Sequence, residues 1–195
     1  MLRSQAAQFP VVSDALAPQA GVPARIAQAL AMSVVAALCA QIEVPLPFTP
    51  VPLTGQTAAV LFAGALLGSR WGAASMALYL LEGSAGLPVF AGGGAGFLHL
   101  AGPTGGYLLS FPLAAWATGR LAERGWGRSF WSAALMMLLG SVILFSVGLL
   151  GLARFVPADR LLALGLWPFV PGDLVKIGLS ASALPLGWRL IGRRR

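Results

Sequence analysis

Asp173 and Lys176 stand three residues apart in the stretch VPGDLVK, residues 170–176, and Lys176 is the sole lysine of the chain. On a helix that spacing puts both side chains on one face, one turn apart. A carboxylate acceptor and an ammonium donor so placed can act on one ligand together. The same pair also suits plainer duties, Asp173 capping a helix and Lys176 snorkelling to an interface. The surroundings weigh toward use. The stretch opens a run that is otherwise apolar, and a charge at the centre of a membrane costs about 2.5–3.5 kcal/mol on insertion scales, so such residues tend to line a cavity or pathway.

Other polar groups fall in the same layer. Glu82 lies about 18 Å along a helix from Arg70 at 1.5 Å per residue, which carries it to the outer half of its segment; a rim carboxylate near the surface is the plainer reading. Thr54 and Gln56 begin one segment, and Thr104 and Tyr107 begin another. Each alone fits a helix cap or an aromatic belt. Their convergence is what suggests a site for a small molecule with hydrogen-bonding groups, an anionic end and an apolar body. Phe90 and Phe48 are candidates for its apolar walls. His99, the sole histidine, reads first as a satisfied polar tip, and Cys39, the sole cysteine, as a small hydrophobe that excludes an intrachain disulfide. There is no GxxxxGK[ST] phosphate loop, no HExxH and no paired-cysteine motif, and GSAG at residues 83–86 is not a GxSxG elbow. No nucleotide or metal site is expected.

The elements that must carry these residues are apolar. A mean hydropathy of +0.81, with 57% hydrophobic and only 10% charged residues, is too apolar for an ordinary soluble domain. The net charge of +7 does not point to nucleic acid, because the arginines fall between apolar runs rather than among aromatics. Six stretches approach the roughly 17–25 residues that a membrane helix requires: residues 24–42, 54–68, 71–86, 105–121, 130–150 and 172–191. The second is short. Between them, PLPFTPVPLTG is too rich in proline for a helix, and AGLPVFAGGGAGFLHLAGPTGG is dense in glycine. Both are apolar, so they are expected to fold over the helices as lids.

Arginine placement sets the topology. With the N-terminus inside, Arg3, Arg25, Arg70, Arg120, Arg124, Arg128, Arg189 and Arg193–Arg195 fall on the cytoplasmic side, and only Arg154 and Arg160 lie outside. The reading is therefore an all-α membrane protein of six transmembrane helices with both termini cytoplasmic. Residues 1–23 form a cytoplasmic arm, 24–191 the membrane domain and 192–195 a basic tail. Ala27 and Ala31 have the small-xxx-small spacing that lets helices approach closely. A channel would need polar lining through both leaflets, and the inner halves are nearly all apolar.

PLPFTPVPLTGQT, ALYLLEGSAGLPVFAGGGAGFLHLAGPTGGYL and LWPFVPGDLVK together resemble the BioY family, the biotin-specific substrate-binding (S) components of energy-coupling factor (ECF) transporters. The resemblance covers residues 24–187. It implies an ECF S-component fold with a biotin site near the outer surface, closed by the loops after helices one and three. It implies contact of Asp173 and Lys176 with the ureido ring, and it carries the glutamine of the GQT motif onto Gln56. No position is matched to biotin's carboxylate. It further implies a multi-pass protein of the cytoplasmic membrane that binds biotin, needs no cofactor, and couples to a transmembrane scaffold protein and two ATPase subunits near Ala27 and Ala31. An S component for another small vitamin is the nearest alternative; an intramembrane enzyme using His99 with a serine or Glu82 is a more distant one.

Overall fold

The computed structural model describes residues 10–193, so residues 1–9 of the N-terminal arm and 194–195 of the basic tail lie outside the described residues. Val12–Leu16 (α1) and Val22–Gln41 (α2) precede a two-residue antiparallel ladder of Glu43–Val44 (β1) with Leu53–Thr54 (β2). Gln56–Ser84 (α3), Phe97–Leu100 (α4), Gly105–Glu123 (α5), Phe130–Leu152 (α6), Leu161–Gly165 (α7) and Val170–Arg193 (α8) follow. The ladder is a small departure from the all-α expectation. It lies at the two ends of the proline-rich stretch, where proline forbids helix and leaves extended backbone.

α2 buries Ala29, Ser33, Ala36 and Ala40, a stripe repeating every three or four residues. Its other face exposes Ile26, Leu30, Val34 and Leu38. α6 and α8 are alike, with Leu135, Leu138, Val142, Leu179 and Leu186 exposed. Apolar side chains on the outside of satisfied helices are what a lipid solvent permits.

Residues expected as two segments, 54–68 and 71–86, form one run that is broken at Gly68. That residue takes φ 80°, ψ 179°, a conformation open to glycine because it has no Cβ. The chain doubles back there, and a β-carbon on Gly72 would lie 2.7 Å from Gly64 Cα. Glu123 at the end of α5 secures the bend, accepting from the Ser69 N–H and the Ser69 hydroxyl at 2.7 Å each. α5 lies between α3 and α6, burying Ala114, Ala115, Thr118 and Gly119. On the α6 side, backbones touch: a β-carbon on Gly151 would come within 2.6 Å of Gly106 Cα.

Among the described residues, three stretches are long and apolar enough to cross a membrane: Val22–Gln41, Phe130–Leu152 and Ala158–Ile191. The break at Gly68 leaves neither half of α3 that long, and both α3 and α5 carry small and polar residues that are buried in the bundle. The arm is folded where it is described. Val11, Val12 and Ala15 are buried, and Arg25 at the foot of α2 pairs with Asp14 and donates to Ser13 Oγ at 2.9 Å. α8 starts at Val170, two residues before the expected boundary, since Pro171 is tolerated in a first turn whose N–H groups have no helical partner.

Candidate functional site

α2 runs toward the loop of residues 45–52 and α8 runs away from it, so this loop lies at the end of the bundle opposite both described chain ends. At the loop end is a cavity of about 420 Å³, within the ~300–1,000 Å³ range of small-molecule sites. Pro50, Val51 and Pro52 of the first loop and Leu98, His99 and Pro103 of the second line it. Both apolar loops therefore cover it, as their composition suggested. Thr49 pins the first by donating to Leu164 O at 2.7 Å. Tyr107, Phe111, Phe145 and Phe169 supply the aromatic part of the wall, with Leu108 and Leu144 beside them.

Asp173 and Lys176 both face this cavity from the first two turns of α8. They make no ion pair with each other among the described residues. Lys176 Nζ donates instead to Thr54 O at 2.6 Å and Thr57 Oγ1 at 2.9 Å. One of its three N–H groups is left over. Asp173 is only 6% exposed. Ser141 of α6, whose buried hydroxyl lacks a partner of normal geometry, lies beside the Asp173 carboxylate. A carboxylate buried in this way is costly unless something donates to it.

Gln56 and Thr54 come from the start of α3 and the end of β2. The Thr54 hydroxyl donates to Gln56 Oε1 at 3.1 Å, and Gln56 Nε2 donates to Tyr79 Oη at 2.6 Å. Tyr107 lines the cavity with its hydroxyl committed to Gly165 O at 2.6 Å. Thus Asp173, Lys176, Gln56, Thr54 and Tyr107 are brought together, along with Thr104.

Glu82 and Phe90 are not part of the lining. Glu82 accepts from Ser33 of α2 at 3.0 Å, and Phe90 is fully buried beneath the second loop. Phe48 is more than half exposed. Conversely, His99 is more than a polar tip, since it lines the cavity and stacks on Phe90 at 5.0 Å. Thr57, Ser141 and Tyr79 were missed. Thr57 directly follows Gln56 in the GQT motif, and Ser141 is a hydroxyl in the strongly apolar run of α6; those were the available signals.

A bundle sheathed in apolar side chains, enclosing at one end a cavity of small-molecule size lined by an acid and a partly paired base, defines a helical membrane protein. The chain belongs to the BioY family, whose model matches residues 12–193. It is 38% identical over 150 residues to the probable biotin transporter BioY of Pyrococcus horikoshii, covering 77% of this chain and 86% of that one. It is 35% identical over 179 residues to the biotin transporter BioY of Rhizobium etli, covering 85% and 95%. Among solved structures, the S-component for biotin from an ECF-type ABC transporter matches with a TM-score of 0.77 and 27% identity, over 88% of this chain and 91% of the other.

Proposed function

We propose that this chain is a biotin-binding membrane subunit that captures the vitamin for uptake. The observation that carries the reading is the buried Asp173 carboxylate, with only the Ser141 hydroxyl beside it as a donor, near a lysine with one N–H to spare. Biotin's ureido ring offers two N–H donors and one carbonyl acceptor, which complement that pair, and each charge-assisted bond contributes roughly 1.5–3 kcal/mol. The apolar wall suits the fused ring and aliphatic chain. Gln56, Thr54 and Tyr107 are assigned to the polar part of the site, while Glu82 and Phe90 act behind it by holding α2 and the second loop.

The bundle of residues 24–191 forms the binding domain and crosses the cytoplasmic membrane six times, the two halves of α3 counting separately. The cavity opens outward and both termini are cytoplasmic. Support comes from Arg25, Arg70, Arg120, Arg124, Arg128 and Arg189, which sit at the end away from the cavity, whereas Arg154 and Arg160 sit at the cavity end. The subunit is a carrier rather than an enzyme and needs no cofactor. Energy comes from an ECF-type scaffold protein with two ATPase subunits, docked on the exposed Ala27 and Ala31 of α2. The similarity to the solved S-component from an ECF-type ABC transporter supports this reading.

Purification without added ligand, followed by denaturation and mass spectrometry of the released small molecules, tests the function. Biotin is the expected species. A different vitamin would redirect the reading to another S-component specificity.

A further inference from the structure

Tyr79 is fully buried on the returning half of α3 and does not line the cavity. Its phenol has a single proton, which goes to Val89 O at 2.9 Å because a carbonyl can only accept. The 2.6 Å contact with Gln56 must therefore have the amide nitrogen as donor. This fixes the Gln56 amide, with Nε2 toward Tyr79 and Oε1 toward the Thr54 hydroxyl. One N–H and one lone pair remain free on a side chain that does line the cavity.

The phenol's other contact reaches the second loop. Val89 and Phe90 begin the loop whose later residues, Leu98 and His99, face the cavity. Phe90 packs edge-on against Tyr79, with ring centroids 5.6 Å apart at 80°, and it carries the stacked His99 ring. Gly83, one turn beyond Tyr79, vacates the space the Phe90 ring fills, since a β-carbon there would overlap it. The loop is tied down again by Gly96 N–H donating to Gly83 O at 2.8 Å and Gln41 Nε2 donating to Phe90 O at 3.2 Å. One buried hydroxyl thus joins two walls of a cavity that it does not itself touch.

We propose that Tyr79 is a positioning residue for ligand capture: it locks the Gln56 amide and the 88–103 loop into one arrangement, so that a ligand held by Gln56 also holds the loop shut. The proposal rests on the biotin reading of the cavity. Tyr79→Phe removes one oxygen and keeps the ring contacts. In the wild type, biotin slows amide hydrogen exchange across residues 88–96. In Tyr79→Phe that ligand-dependent slowing is lost and biotin dissociates about tenfold faster, because both buried hydrogen bonds of the phenol, to Val89 O and from Gln56 Nε2, are gone. Combined with Gln56→Ala, the affinity losses are less than additive, because Tyr79 acts partly through Gln56. A variant with lowered thermal stability but wild-type dissociation and wild-type loop protection overturns the proposal, as do fully additive losses. Should Tyr79→Phe fail to accumulate, the wild type still decides: no biotin-dependent protection in 88–96 defeats the idea. A wild type that binds no biotin overturns the cavity reading beneath it, a result distinct from wild-type binding with an unaffected variant.

Discussion

Lys176 and Asp173 share one face of α8 yet stand in different circumstances, and the difference is measurable. Lys176 bonds to Thr54 O and Thr57 Oγ1, tying α8 to the start of α3 across more than a hundred residues of sequence. Lys176→Met leaves those two acceptors without a donor, so it lowers the thermal unfolding midpoint of the ligand-free protein in detergent and weakens biotin binding about tenfold. Asp173 has only the Ser141 hydroxyl beside it. Asp173→Asn changes the ligand-free midpoint little, because the buried charge it removes has only the Ser141 hydroxyl and the nearby Lys176 ammonium to offset its desolvation. Thermal scans of the two variants check this, and a large drop for Asp173→Asn alone would contradict it.

Helix contacts hold these side chains in place. α5 and α6 meet at Gly106 and Gly151 with no room for a side chain. Gly151→Val pushes them apart and displaces Tyr107 and Phe145 in the cavity wall. The expected cost is about 1–3 kcal/mol, the usual penalty of overpacking, read as a lower denaturant midpoint with weakened biotin binding. How far such contacts were legible follows from what a linear sequence encodes. Which end of an apolar segment a residue occupies can be read from the sequence, which puts Thr54, Gln56, Thr104, Tyr107, Asp173 and Lys176 in one layer, and all six line the cavity. Azimuth is set by which neighbours pack where. Glu82 has the right depth but points to Ser33 of α2. Phe90 belongs to the right loop but faces inward onto Tyr79. Ser141 and Tyr79 escaped notice for the same reason: their value depends on what lies across the bundle. The bend at Gly68 could be guessed from the arginine at position 70, but not the single glycine φ that produces it.

For the molecule as a whole, the account requires the cavity to face outward and the arginine-rich end to face the cytoplasm. In a chain with Cys39 replaced by alanine, a cysteine introduced at Gly93 in the second loop should react with a membrane-impermeant maleimide on intact cells. One introduced at Gly125 should react only after permeabilisation. The reverse pattern would invert the topology. Every other claim depends on the ligand itself, and equilibrium binding of biotin to the purified protein, wild type against Asp173→Asn, tests it most directly. The account predicts one saturable site per chain in the wild type and an affinity about ten- to a hundredfold lower in the variant, the loss of one charge-assisted bond to the ureido ring. Equal affinity in the two proteins, or no saturable binding in the wild type, would contradict it.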